Sequence, residues 1–218
     1  MENSLEDIKK ELQGKPDNEV KVNDVNILFL DISSSCTGYT IANVNFENKT
    51  ANFKSTGCLW LPDTWTHQEK YSYMFSVVSN YFWVVEQIDY IVVEQYSVNP
   101  KKLMGVNVVS EMQGTIKCAA WENGVKVTSI LPQTWRSILK IKKSEKGEFK
   151  STTKAKVLER IDVPEKVTSN ITKGERQTPS DLYDSLAIGM AWLEKLGIVK
   201  QFYKDIKFNS HIGVIGET

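Results

Sequence analysis

Asn26-Ile27-Leu28-Phe29-Leu30-Asp31-Ile32-Ser33-Ser34-Ser35-Cys36-Thr37-Gly38-Tyr39-Thr40-Ile41 is the stretch from which the fold can be read. Residues 27–30 are apolar without interruption. An unbroken apolar run that stops at small residues fits a central strand covered on both faces, because a strand with one wet face alternates. The serine turn and the run beyond Gly38 then bring the chain back as a second strand. Asp31 is thereby placed at the end of a buried strand and not on an open surface.

Two other segments carry acids in comparable positions. Asp89-Tyr90-Ile91-Val92-Val93-Glu94-Gln95 is a second apolar run that ends in an acid. Thr178-Pro179-Ser180-Asp181-Leu182-Tyr183-Asp184-Ser185-Leu186-Ala187-Ile188-Gly189-Met190-Ala191-Trp192-Leu193 reads as a helix with Thr178 as its cap and Pro179 at its first position. Residues three apart share a helix face, so Asp181 and Asp184 point together. Asp31, Glu94, Asp181 and Asp184 are therefore the candidate catalytic and metal-binding residues. Two hard divalent cations, Mg²⁺ or Mn²⁺, about 3.5 to 4 Å apart can hold the attacking and departing oxygens of a phosphodiester, and carboxylates are their natural ligands. Taken singly, each acid also fits a plainer role: Asp31 as the opener of a turn with Ser33, Glu94 as a solvated strand end, Asp181 as a capping acid, Asp184 as part of a wet helix face. Their joint placement is what points to chemistry.

The rest of the chain supplies the frame. Residues 1–24 are polar and read as an N-terminal arm with a short helix near Leu5 to Leu12. Strands are expected near 26–31, 38–45 and 52–59, the last two joined by a turn at Glu47-Asn48-Lys49. A long helix follows over about 66–87, in which Tyr71, Met74, Phe75, Val78, Phe82 and Val85 recur at helical spacing; this stripe is read as core. A fourth strand near 90–94, a helix near 103–123, a fifth strand near 125–131 and a short helix opening at Pro132 come next. Residues 142–151 read as a mobile loop, followed by a helix near 152–161 and a polar connector through Thr178. This is an α/β order with a central mixed five-stranded sheet and helices on both faces. The domain spans 25–197, and 198–218 form a tail.

Length and composition agree: 218 residues with 41% apolar side chains suffice for one full core. Formal net charge is zero, but residues 136–176 hold twelve Lys or Arg against six Asp or Glu. A basic stretch that ends just before the acid-bearing helix is suited to holding phosphate; its plainer reading is a solvated lysine-rich loop. The DNA-binding candidates are Arg136, Lys142, Lys143, Lys150 and Lys156, with Tyr96 beside Glu94. Cys36, Cys58 and Cys118 have no paired spacing, which argues against a zinc site and suits a reducing compartment. No run approaches the roughly 20 apolar residues of a membrane span, and no signal-peptide core is present, so a soluble intracellular protein is expected.

From about Val25 to Leu196 the chain resembles the RuvC-type Holliday junction resolvases, a branch of the RNase H-like nucleases, and within it the divergent phage or viral members. The resemblance rests on Asp31 ahead of Thr37-Gly38-Tyr39, on Val93-Glu94-Gln95, on Asp181-Leu182-Tyr183-Asp184-Ser185-Leu186-Ala187-Ile188-Gly189, and on Gln113-Gly114 and Lys154 in matching places. It implies an RNase H-like fold, two Mg²⁺ or Mn²⁺ ions at the four acids, and Lys154 in phosphate positioning or charge stabilisation, with Arg136 and Lys156 next. It further implies a homodimer joined largely through the helix near 103–123, four-way or branched DNA as partner, and paired nicks leaving 5′-phosphates. The chain departs from the family where an aromatic wedge follows the second acid: Ser97 holds the wedge's place and Tyr96 lies closer to Glu94. Three other readings stay open from the residues: a nuclease of the same fold for flaps, forks or RNA hybrids, a non-catalytic junction-binding module, and an actin-like ATPase suggested by the serine-rich turn after Asp31.

Overall fold

The computed structural model describes residues 6–8, 10, 24–95, 103–172, 174–198, 200–202 and 206–208. Strands β1 (Val25–Asp31), β2 (Cys36–Asn45) and β3 (Thr50–Trp60) form an antiparallel meander. Ser33 closes the first turn: its hydroxyl accepts from the Cys36 N–H at 3.1 Å and donates to the Cys36 carbonyl at 2.9 Å. Asp31 is thus not needed as the turn opener. Strands β4 (Tyr90–Glu94) and β5 (Lys126–Ile130) extend the sheet in parallel on the other side of β1.

Both faces of β1 are covered, as its unbroken apolar run implies. Val25, Ile27 and Phe29 point into one core, and Leu28 and Leu30 into the other. The second core is roofed by helix α1 (His67–Ser76), which runs on as a π-helix over Val77–Val85, and by α2 (Leu103–Glu122). The first core is roofed by α3 (Pro132–Ile138), α4 (Lys150–Leu158) and above all α5 (Ser180–Lys195). Ile8, from the polar arm, is also buried in this first core.

Several expectations need correction. Among the described residues the sheet has seven strands, in the order β5-β4-β1-β2-β3-β8 with β9 also on β3; β8 (Lys200–Phe202) and β9 (Lys207–Phe208) come from the segment read as a tail. Strands of three and two residues that borrow the ladder of an existing edge leave almost no periodic trace in sequence. For the same reason the polar connector conceals a small hairpin, β6 (Lys166–Thr168) against β7 (Glu175–Gln177). The long helix changes register at Val77, and that rotation leaves Val85 exposed although α-helical spacing places it in the buried stripe; Val78 and Phe82 face inward as that stripe expects, and Val77 joins them. Thr178 does not cap α5. Its hydroxyl donates to the Pro164 carbonyl at 2.6 Å, and Pro179 occupies the cap position with extended backbone.

The free cysteines Cys36 and Cys58 are buried and Cys118 is exposed. Among the described residues no helix is long and apolar enough to cross a membrane.

Candidate active site

Strand register brings the first two acids together. Leu30 pairs with Val93 across parallel β1 and β4, so the next residues, Asp31 and Glu94, leave adjacent strand ends side by side. On the other side of β1, Asp31 pairs with Gly38, which in turn pairs with Cys58. Gly38 has a specific reason to be glycine: a Cβ built there would lie 1.9 Å from the Asp181 carbonyl oxygen. The first turn of α5 therefore rests on the bare backbone of β2, and this contact carries Asp181 and Asp184 to the end of the sheet where Asp31 and Glu94 emerge.

Farther along α5 the seat is polar and then apolar. The hydroxyls of Thr40, Thr56 and Ser185 meet in the core, with Thr40 2.9 Å from each of the other two. Gly189 lets the helix lie on Phe29 and Phe53, whose rings are 3.0 and 3.2 Å from where a Cβ would be.

Electrostatics binds the four acids into one group. Burial raises the Asp31 carboxyl well above the usual carboxylate range, and Glu94, Asp184 and Asp181 push it further in that order. Asp184 is pushed up to about 7 by burial, then by Glu94 and Asp181, against the opposing pull of Arg136 and Lys150. Burial also raises Asp181, while Lys150, its own backbone N–H and Ser180 hold it down. Like charges in a half-desolvated site are unfavourable without a compensating cation.

The donor set, all carboxylate oxygen, fits hard divalent ions. Among the described residues, however, no three acidic, imidazole or thiolate side chains close on one point. The acids are near enough to repel each other without converging: Glu94 meets the Asp31 carboxyl side chain to side chain, while its Oε1 also accepts from the Trp135 indole N–H at 3.2 Å and lies 3.6 Å from the Arg136 guanidinium. Gln113 donates to the Glu94 carbonyl at 2.7 Å and steadies the strand end. A cleft of about 260 Å³ opens here, lined in part by Asp31, Glu94, Gln113 and Arg136.

The basic candidates distribute unequally. Arg136 lies between the rings of Trp135 and Phe149, 4.6 Å from each centroid, and its Nε is buried without a hydrogen-bond partner. Lys150 donates to Ser180 at 3.0 Å and is the lysine whose charge reaches Asp181 and Asp184. Lys154, expected to position phosphate or stabilise charge, sits one turn farther along α4 with its ammonium 5.2 Å above the Tyr183 ring. Lys156 pairs with Glu159 at 2.6 Å, and Lys142 and Lys143 are exposed, the latter 5.7 Å above Phe149. Tyr96 and Ser97 lie outside the described residues. Sequence reading missed Trp135 as a partner of Glu94. The clue was topological: Ile130, the last residue of β5, pairs with Glu94, so residues just beyond it must fall beside that acid.

A mixed sheet opened by an antiparallel meander, with acids at two adjacent parallel strand ends and on a helix laid across it, is the architecture of the RNase H-like proteins. The chain shares its fold with RuvC-type Holliday junction resolvases. No family model matches the sequence, and no curated protein does. Among solved structures it is similar to RuvC of T. thermophilus in complex with a Holliday junction substrate, with TM-score 0.56 and 16% identity over 81% of this chain and 98% of that one. It is also similar to the fowlpox virus resolvase in complex with Holliday junction DNA, with TM-score 0.53 and 15% identity over 79% and 99% of the two chains.

Proposed function

We propose that this chain is a structure-selective endonuclease that resolves four-way DNA junctions by two-metal-ion hydrolysis, acting as a homodimer that makes paired nicks with 5′-phosphates. The observation that carries the reading is the group of four mutually repelling carboxylates, Asp31 and Glu94 from neighbouring strand ends and Asp181 and Asp184 from one helical turn, in a fold shared with resolvases.

Asp31, Glu94, Asp181 and Asp184 would hold two Mg²⁺ or Mn²⁺ ions, which supply an activated water and charge for the departing 3′-oxygen when bound. The chain's own groups do the rest. Arg136 lines the cleft with a quarter of its side chain exposed and is flanked by aromatic rings, so its guanidinium is prepared to donate to a phosphate oxygen there. Lys150 stands over the first turn of α5 and offsets the acids' charge as the backbone arrives. Lys154, Lys142, Lys143 and Lys156 continue the basic face along the incoming strand, where each phosphate contact strengthens binding in a salt-dependent way.

Labelled four-way junction, linear duplex and splayed fork, each incubated with the protein in Mg²⁺, Mn²⁺ or chelator, test this. Paired, metal-dependent nicks confined to the junction are expected. Equal cutting of all branched substrates would make the protein a broader branched-DNA nuclease. Binding without cutting, or nucleotide hydrolysis without DNA cleavage, would overturn the assignment.

A further inference from the structure

Of the six tryptophans in the chain, Trp135 is fully buried and the largest of the fully buried side chains. It cannot stack on an exposed base in this position. A large ring of this kind is ordinarily core filling, yet its one polar atom is spent on a candidate metal ligand: the indole N–H donates to Glu94 Oε1 at 3.2 Å. We propose that Trp135 is a positioning residue for Glu94, one that fixes the carboxylate by Oε1 and leaves Oε2 to face a divalent cation. The inference rests on the cation-binding role proposed above for Glu94.

Three observations support this role. First, an indole N–H is a neutral donor with no acceptor capacity, so it orients a carboxylate without neutralising it. A cationic partner does the opposite, because it competes with a metal ion for the same charge. Second, that competitor is present but loosely held. Arg136 lies 3.6 Å from the same Oε1, within ion-pair range but beyond a hydrogen bond, and a quarter of its side chain is exposed. When the guanidinium turns to a phosphate, Trp135 still holds Glu94. Third, Trp135 cannot drift: it sits at the start of α3, directly after β5, whose last residue is paired with Glu94 itself. Gln113 fixes the Glu94 main chain from the opposite layer, at 2.7 Å from its carbonyl oxygen. Backbone and one carboxylate oxygen are thus pinned, which is how hydrogen bonds to a ligating carboxylate tune a metal site.

The test is Mn²⁺ binding to the DNA-free protein, by calorimetry or electron paramagnetic resonance, for wild type, Trp135→Phe, Glu94→Gln and the double variant. Phenylalanine keeps an aromatic ring and deletes the N–H. The expected result is a loss of Mn²⁺ affinity on the order of 10-fold in Trp135→Phe, with no further loss when the change is added to Glu94→Gln. In cleavage assays kcat should fall by a similar factor and the Mn²⁺ concentration for half-maximal rate should rise, while KM for the junction stays put. Wild-type Mn²⁺ affinity in Trp135→Phe, or equal losses with and without Glu94, would overturn the inference and leave the nuclease reading intact. Absence of Mn²⁺ binding by the wild type would overturn the metal-dependent reading itself, and this inference with it. Should Trp135→Phe not fold, the indole proton of the wild type gives the answer by NMR: its resonance must move on Glu94→Gln, and an unmoved signal would overturn the contact.

Discussion

The two faces of the central sheet are covered in different ways. On the α5 face, helix and sheet meet backbone to backbone at Gly38 and ring to glycine at Gly189, with three hydroxyls between. On the α1–α2 face the contact is made by large apolar side chains, among them Met74, Phe82, Met112 and Ile116, all fully buried. Neither α1 nor α2 carries one of the four acids. The difference teaches where accuracy is needed. Side-chain packing tolerates exchange of one apolar shape for another of like volume, whereas a backbone contact permits one separation only. The face that delivers Asp181 and Asp184 uses the second kind.

The largest effect should come from the acids themselves. Asp31→Asn or Asp184→Asn should reduce cleavage on the order of 10³-fold or more, the scale on which single groups of a preorganised charged site act. Junction binding should persist, measured by gel shift. Loss of binding by a folded variant would give these acids a role beyond catalysis.

The two faces are separated most directly by Gly38→Ala against Phe82→Ala. The new methyl at 38 meets the Asp181 carbonyl, which is main chain and cannot swing aside. Overpacking typically costs about 1 to 3 kcal/mol, occasionally more, and here the displaced object is the acid-bearing turn, so kcat should collapse even below Tm. Phe82→Ala should cost about 3 to 5 kcal/mol of stability, yet leave kcat and metal requirement near wild type wherever the protein is folded. Equal losses of kcat in the two variants would erase the distinction between the faces.

Burial of charge gives a third contrast, readable by pH. In chelator the folded-state pKa values of Asp31 and Asp184 lie above those of an unfolded chain, Asp184 at about 7. For a carboxyl raised in this way, the stabilising contribution is complete below the unfolded pKa near 4 and is lost as pH rises through the folded value. Tm in chelator should therefore fall between pH 5 and 8, and Asp184→Asn should flatten that slope. Mg²⁺ should restore Tm most at the alkaline end. A Tm that rises with pH in chelator would mean that the acids are solvated and not a repelling cluster.

How much of this was legible beforehand follows from the same contrast. Strand ends marked by Asp31 and Glu94, and a helix bearing Asp181 and Asp184, stand out in sequence because burial on both faces erases alternation and leaves the acid as the first polar residue. Gly38 was visible as part of a motif, but its reason was not, since a contact with Asp181 spans more than a hundred residues. The partnership of Trp135 with Glu94 and the reach of Lys150 depend on side-chain direction, which spacing does not encode. The π-helical register after Ser76 and the short strands β6 to β9 were missed because their stability comes from neighbours and not from their own pattern.

The smallest effect should come from Ser185, and it sharpens the account of how α5 is seated. Thr56 donates to the Tyr39 carbonyl at 2.8 Å, Ser185 donates to the Leu182 carbonyl at 2.9 Å, and Thr40 stands 2.9 Å from both hydroxyls. These are four contacts with three hydroxyl protons to fill them, so one is always short of a donor. Ser185→Ala removes one proton and two contacts; Thr40 can then give its proton to Thr56, and each remaining hydroxyl contact has its donor. The cost should be about 1 kcal/mol, the ordinary net worth of a hydrogen bond, and not the larger penalty of an orphaned buried group. Urea unfolding would measure it, with kcat expected within about twofold of wild type because the close contact at Gly38 still fixes the first turn. If Ser185→Ala lowered kcat as far as Gly38→Ala, the hydroxyls and not the bare backbone of β2 would be what holds Asp181 and Asp184 in place.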